Sequence, residues 1–370
     1  MMRMFVCLTA LIVALSCAAI AEAAEVTIWT IPVKLTNLFD ISPAGADGQV
    51  FVALPGAYAI ALVNGLLNEA RLLPVGQAPL NLLLTEEGLF FTFHGGIGFV
   101  DPKTGKTTDW EVPKPAGKVD SLVEGEFGTG VVTLWFSQGS PDKLGVFEPT
   151  SISPAAPEKD ESEALTLDPV RLDASVSSTS VEPDVYSLED PLLFRTMGSY
   201  EGEFRRWTPF VRSRGVDRLA IGSNAYIWFS QGGDTLFLFE PWSGSMFRHK
   251  LPDGAKAGAV TASPSGAIWF IDSAHRSVGR LDPSSNVVTT WSLPGGGQPF
   301  DIAIGDSGDV WISDRVSGVI YRLEPESGEF SGWQIGPGLK PSILCVDSSG
   351  TVWFIEETEK AVGRLVLSES

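Results

Sequence analysis

The chain has 370 residues, 44% of them apolar, enough to build a large buried core. Its 26 basic and 45 acidic residues give a formal net charge of −19. That balance lacks the basic footprint of a nucleic-acid binder, disfavours anionic membrane surfaces, and would attract cations.

The N-terminus reads as an export signal. Arg3 supplies the positive start, Phe5 to Ala14 is apolar, and Ala21-Glu22-Ala23 has the small-x-small pattern of a cleavage site before Ala24. The apolar run is too short to span a bilayer, and no later segment is long and apolar enough. Residues 1–23 are therefore expected to be removed, with the mature chain in the periplasm or outside the cell. Lipid attachment at Cys17 ranks second, because Ala14-Leu15-Ser16-Cys17 lacks the expected leading Leu. Outside the signal only Cys345 remains, so no intrachain disulfide can form. It lies in the apolar run Ile343-Leu344-Cys345-Val346 and reads as a buried small hydrophobe.

From residue 51 onward one phrase recurs: an aromatic, two mostly apolar residues, then usually a polar one. It runs Phe51-Val52-Ala53-Leu54, Phe91-Thr92-Phe93-His94, Trp135-Phe136-Ser137-Gln138 and Trp228-Phe229-Ser230-Gln231. It continues as Trp269-Phe270-Ile271-Asp272, Trp311-Ile312-Ser313-Asp314 and Trp353-Phe354-Ile355-Glu356. The spacing is 40 to 44 residues, with one gap of 93 that is one repeat plus an insertion. A fixed period in this range signals stacked supersecondary units.

Residues 300–335 show one unit. Phe300 to Ile304, Val310 to Ser313, Val319 to Leu323 and Phe330 to Ile335 read as four short strands. They are separated by Asp306-Ser307-Gly308, Ser317-Gly318 and Glu324-Pro325-Glu326-Ser327-Gly328, whose Pro and Gly suit turns. Four strands per unit, repeated, make a propeller blade. The expected fold is all-β, one seven-bladed β-propeller over 24–370. The regular Trp and Phe, including Trp110, Trp207, Trp291 and Trp333 of the fourth strands, read as packing between blades rather than sugar-stacking residues.

The last unit lacks a fourth strand. Val26-Thr27-Ile28-Trp29-Thr30-Ile31-Pro32 resembles the fourth strands around Trp110 and Trp291, so the mature N-terminus is expected to close the ring. The third unit carries an insertion over about 150–202. Pro157-Glu158-Lys159-Asp160-Glu161-Ser162-Glu163 marks it as a loop with little core of its own.

Alternating strands bring the second-strand ends and first-strand starts to one face; the insertion falls on the other. On the first face the candidate ligand-binding residues are Gln138, Gln231, Asp301, Asp217 and Asp40, with Asn81 and Asp120 beside them. Asp272, Asp314 and Glu356 are candidate ligands for Mg²⁺ or Ca²⁺, because hard cations take oxygen donors. Asp272, His275 and His94 are the candidate catalytic residues. His249 is expected in solvent on an outer strand. Arg280, Arg322 and Arg364, at one strand position, are expected to pair with neighbouring acids. Hydrolase, zinc and phosphate motifs of the G-x-S-x-G, H-E-x-x-H, P-loop and paired C-x-x-C kinds do not occur.

Gly297-Gln298-Pro299-Phe300-Asp301-Ile302, the run from Asp347 to Phe354, Gly279-Arg280-Leu281-Asp282-Pro283 and Gly363-Arg364-Leu365 resemble the virginiamycin B lyase (streptogramin lyase) family. The likeness covers nearly the whole mature chain and is best from Gly215 onward. It implies a seven-bladed propeller and metal-dependent opening of a cyclic depsipeptide by elimination. It also implies a His just after the first-strand Pro, and a Glu and a further His near the second-strand end. Here the first position holds Leu80, Val216, Gly258, Phe300 and Ser342, none of them His. Glu356 keeps the Glu, Asp272 and Asp314 are shorter, and His275 follows Asp272. Two functions are thus expected in order: a binding propeller for an unidentified ligand or envelope protein, then a divergent metal-dependent C–O lyase acting on a cyclic ester or depsipeptide. A structural module of an envelope assembly ranks third.

Overall fold

The computed structural model describes residues 24–31, 37–45, 48–114, 117–125, 132–139, 143–149, 170–171, 199–200, 202–207, 218–252 and 254–367. The expected signal, and all of the insertion except Val170–Arg171, Ser199–Tyr200 and the start of the strand at Gly202, lie outside these residues.

Seven antiparallel sheets stand in a ring, each built on four strands, met in chain order from the centre outward in all but the seventh. The innermost strands are Ile41–Pro43, Leu82–Leu84, Val119–Gly125, Leu219–Ile221, Ala257–Ala262, Pro299–Ile304 and Pro341–Val346, defining sheets one to seven. Each innermost strand touches the next, and that of sheet seven touches that of sheet one. Two short additions extend the four-stranded pattern. Val170–Arg171 pairs with Glu69 and Ala70 on the outer strand of sheet one, and Ser199–Tyr200 pairs with the outer strand Gly202–Trp207 of sheet three.

The sequence period becomes structure through the middle strands. A buried aromatic or branched residue from one sheet packs against the next, so seven hydrophobic clusters each span neighbouring sheets. Second- and fourth-strand aromatics meet as pairs. Trp269 and Trp291 have ring centroids 5.4 Å apart, Trp311 and Trp333 5.5 Å, and Trp29 and Trp353 5.7 Å. The indoles of Trp228, Trp311 and Trp353 are almost fully buried, which makes them packing residues.

In sheet seven, Ala24–Thr30 pairs antiparallel with Ala361–Leu367 and takes the outermost place. Trp29 is fully buried there. Its Nε1–H donates to Asn68 Oδ1 of sheet one at 2.8 Å, so one residue touches two sheets. Arg364 lies over Trp29 and Trp353, 5.4 and 5.9 Å from the ring centroids, instead of pairing with an acid. Arg322 does meet acids, at 3.4 Å from Asp309 and 2.9 Å from Glu324.

His249 departs from the expectation of a solvated side chain. It is 5% exposed, with its ring 4.6 Å from that of Trp228. It therefore fills the fourth-strand place that holds Trp291 and Trp333 elsewhere. The outer strand hides one face of its residues under the neighbouring sheet, and the alternation in Phe247-Arg248-His249-Lys250 puts His249 on that face. Burial lowers its pKa to about 3 from 6.5.

Two outcomes follow for stability. Trp29→Ala is expected to cost about 3–5 kcal/mol, the range for a fully buried aromatic, and to lower the single urea transition of the whole ring. The unfolded chain protonates His249 near pH 6.5 while the folded chain resists until about pH 3, so stability falls as pH drops through that window. His249→Phe removes this term. Between pH 7 and about 5 its unfolding free energy from urea denaturation should fall less than that of the parent, by a margin of about 2 kcal/mol at ~1.4 kcal/mol per pH unit.

Candidate functional site

Strand pairing sets which residues share the end of each second strand. Phe91 faces Gly98 as Phe136 faces Gly145 and Phe270 faces Gly279. The matching ends are therefore Leu54, Phe93, Gln138, Gln231, Asp272, Asp314 and Glu356. His94 is one residue beyond its expected place, exposed in the hairpin turn, where its backbone bridges to Lys118. The slip arises because Phe90 and Phe91 both satisfy the aromatic signal, and one residue of register moves a side chain to the opposite face.

The three acids of this ring are buried, and each is engaged by its own turn. Asp272 Oδ1 accepts from the amides of Lys256 (2.9 Å), Ala274 (3.0 Å) and His275 (3.3 Å), and Oδ2 lies 2.6 Å from His275 Nδ1. Asp314 Oδ1 accepts from the amides of Val316 and Ser317, and Oδ2 from the Ser317 hydroxyl at 2.6 Å. Glu356 accepts from the amides of Lys340 (2.7 Å), Thr358 (2.9 Å) and Glu359 (2.6 Å). A buried amide without a partner is costly, and these carboxylates satisfy several at once. They therefore serve three separate turns. Among the described residues no group of three His, Cys, Asp or Glu is arranged to hold a metal ion. Gln138 and Gln231 are buried at the equivalent ends of sheets three and four.

A second ring lies on the innermost strands, one residue before Ile41, Leu82, Leu122, Leu219, Val260, Ile302 and Leu344. It reads Asp40, Asn81, Ser121, Arg218, Ala259, Asp301 and Ile343. Several members reach to the next sheet. Asp40 Oδ2 accepts from the Leu82 amide at 2.8 Å, Ser121 Oγ from Leu219 at 3.0 Å, and Asp301 Oδ2 from Leu344 at 2.9 Å. A bulge between Val119 and Ser121 puts Ser121, not Asp120, in this place. Asp120 instead pairs with Lys118. Asp217 lies outside the described residues.

Arg218 is the member that the sequence pattern alone does not single out. Its Nη1 lies 2.9 and 3.1 Å from the two oxygens of Asp301, so a cation on sheet four meets an anion on sheet six, past the small Ala259 of sheet five. The signal that could find it is register: Arg218 precedes Leu219 as Asp301 precedes Ile302. Burial opposes the Arg218 charge, but Asp301 and Asp40 hold its proton. Burial likewise pushes the Asp40 carboxyl up to about 6, partly offset by Arg218 and by the Leu82 amide. Cys345 is buried close by; burial, then the charge of Asp40, raises its thiol pKa, as suits an unreactive core cysteine.

Breaking the Arg218–Asp301 pair should be costly. Arg218→Gln is expected to lose about 2 kcal/mol by urea denaturation. That is less than the ~3–5 of a fully buried pair because the Arg218 side chain keeps 29% exposure. The folded state holds the Asp40 proton more tightly than the unfolded chain, so Asp40 lowers stability as pH rises from about 4 to 6. Asp40→Asn should be most favourable relative to the parent above pH ~6, read as the difference in Tm across that range.

The comparisons with known proteins agree with this ring. Residues 202–370 match the virginiamycin B lyase family. A catalytically inactive virginiamycin B lyase from Staphylococcus aureus, solved with quinupristin, superposes with a TM-score of 0.70 at 17% identity. The match covers 94% of this chain and 100% of that one. A streptogramin B lyase structure gives 0.70 at 16% identity, covering 93% and 98%. No curated protein matches the chain in sequence. At this identity the structural likeness carries the fold: the chain is a seven-bladed propeller like those of the solved lyases, and its residues 202–370 match the virginiamycin B lyase family model.

Proposed function

We propose that this chain is an exported binding propeller whose axial face, with Arg218, Asp40 and Asp301 at its centre, receives a ligand or an envelope protein. The observation that supports it is the fate of Asp272, Asp314 and Glu356. Each accepts at least three hydrogen bonds from its own turn or from the residue just before the first strand of its sheet. Metal-assisted elimination needs a cation with open coordination and a base beside the abstracted proton. These carboxylates do not fit Mg²⁺ or Ca²⁺ as a shared set, and Leu80, Gly258, Phe300 and Ser342 supply no imidazole after the first-strand turn. Export rests on the signal-like residues 1–23; no helix among the described residues is long and apolar enough to cross a membrane.

The second reading is a divergent metal-dependent C–O lyase acting on a cyclic ester or depsipeptide. One contact favours it. His275 is 43% exposed while its Nδ1 is held 2.6 Å from Asp272 Oδ2, which leaves Nε2 outward as a base.

Thermal unfolding of the chain from Ala24, with chelator and then with Mg²⁺ or Ca²⁺, separates the two. A specific site at a hundredfold over its Kd would add about 2.7 kcal/mol. The expected result is no shift with either ion. A shift that disappears in Asp272→Ala would overturn the binding reading in favour of the lyase.

A further inference from the structure

Sheets four and five meet in a groove of about 440 Å³ on the face opposite the second-strand ends. It lies where the first-to-second and third-to-fourth turns gather, away from the axial site. Trp228 forms one wall and Arg280 the other, with Ser223, Asn224, Ser265 and Ser284 among the residues at the rim. Among the described residues, neither Trp228 Nε1 nor the Arg280 guanidinium has a hydrogen-bond or ion-pair partner. The expected pairing of Arg280 with a neighbouring acid is therefore not what the fold builds.

Each of these donors has a partnered counterpart in another sheet. In sheet seven Trp353 Nε1 donates to Asp347 Oδ2 at 2.9 Å. The residue at the Asp347 position in sheet four is Gly222, where a Cβ would stand 3.0 Å from Trp228 Nε1. In sheet six Arg322 is met by Asp309 and Glu324. The residue at the Asp309 position in sheet five is Ala267. Asp282, at the Glu324 position, accepts from the Ser284 amide and from the Ser284 and Ser285 hydroxyls. The corresponding groove between sheets six and seven, about 330 Å³, is lined by Asp306, Asp309 and Asp347 without an arginine. One groove thus carries three carboxylates and no arginine, and the other carries Arg280 with the single carboxylate of Asp282.

We propose that the groove between sheets four and five binds the carboxylate of a small organic acid or acidic peptide, held by the Arg280 guanidinium with the Trp228 indole N–H as a further donor. A guanidinium offers a planar pair of N–H groups that matches a carboxylate. The volume lies within the range of small-ligand pockets. Asp282 keeps its charge, held down to about 2 by the Ser284 and Ser285 hydrogen bonds. It leaves the groove near neutral rather than repelling an anion as the chain's net charge would.

The test is a titration of the ¹⁵N-labelled chain with acetate, and separately with sulfate, at about 0.1 M ionic strength, where exposed charges are largely screened beyond ~10 Å. The readout is the Trp228 indole N–H signal, assigned with Trp228→Phe. Acetate should shift it saturably. Arg280→Gln should weaken that response at least about tenfold, which is ~1.4 kcal/mol. Ala267→Asp, which rebuilds the sheet-six pairing, should abolish the response and leave the other indole signals in place. No saturable shift, a response to sulfate alone, or equal binding by Arg280→Gln or Ala267→Asp would each overturn the proposal.

Discussion

Every sheet in this ring depends on apolar contact with two neighbours. A single four-stranded sheet buries one face at best, whereas the aromatic layers between successive sheets cover both. Within sheets five, six and seven the pairs Trp269–Trp291, Trp311–Trp333 and Trp29–Trp353 line the face that packs on the next sheet. The contact is circular, so sheet seven packs on sheet one. Ala24–Thr30 supplies the outer strand of sheet seven, and Trp29 reaches Asn68 of sheet one. A His in place of Trp in sheet four keeps the shape of the layer but makes it sensitive to acid.

The same geometry decides what the polar residues do. Tight turns at the strand ends leave amides that must be satisfied away from bulk water. Asp272, Asp314 and Glu356 meet that need, which explains buried carboxylates on one face without requiring catalysis. On the innermost strands the spacing is closer, and charges from different sheets interact. Arg218 reaches Asp301 past Ala259, and Asp40 is held in an environment that favours its neutral form. Polar chemistry on this face is thus partly turn closure and partly a central charge group. On the opposite face the repeat is less uniform, and the groove beside Arg280 differs from its counterpart beside Asp347 through a few substitutions at fixed turn positions.

Much of this architecture is legible in the order of the amino acids. The aromatic period, the Gly and Pro turn positions and the match of Val26 to Pro32 with the fourth strands are local signals, and local signals carry through when each unit repeats the same short pairing. Register is less secure. Two adjacent aromatics at Phe90 and Phe91 each satisfy the pattern, so the pattern gives His94 a place that belongs to Phe93. The bulge after Val119 shifts the inner ring by one residue and puts Ser121 in the place expected for Asp120. In sheet four the same one-residue ambiguity favours Asp217 over Arg218.

The amino-acid sequence alone therefore determined the architecture: seven units, their strand order, and the use of the N-terminal segment as an outer strand. It did so because hydrophobic periodicity and turn chemistry act within about ten residues. The tertiary structure decided which polar atoms meet. Arg218 and Asp301 are separated by 83 residues, and Trp29 and Asn68 by 39. Whether an acid closes a turn, binds a cation or pairs with an arginine depends on distances of a few ångströms between sheets. Those distances arise only when the ring has formed.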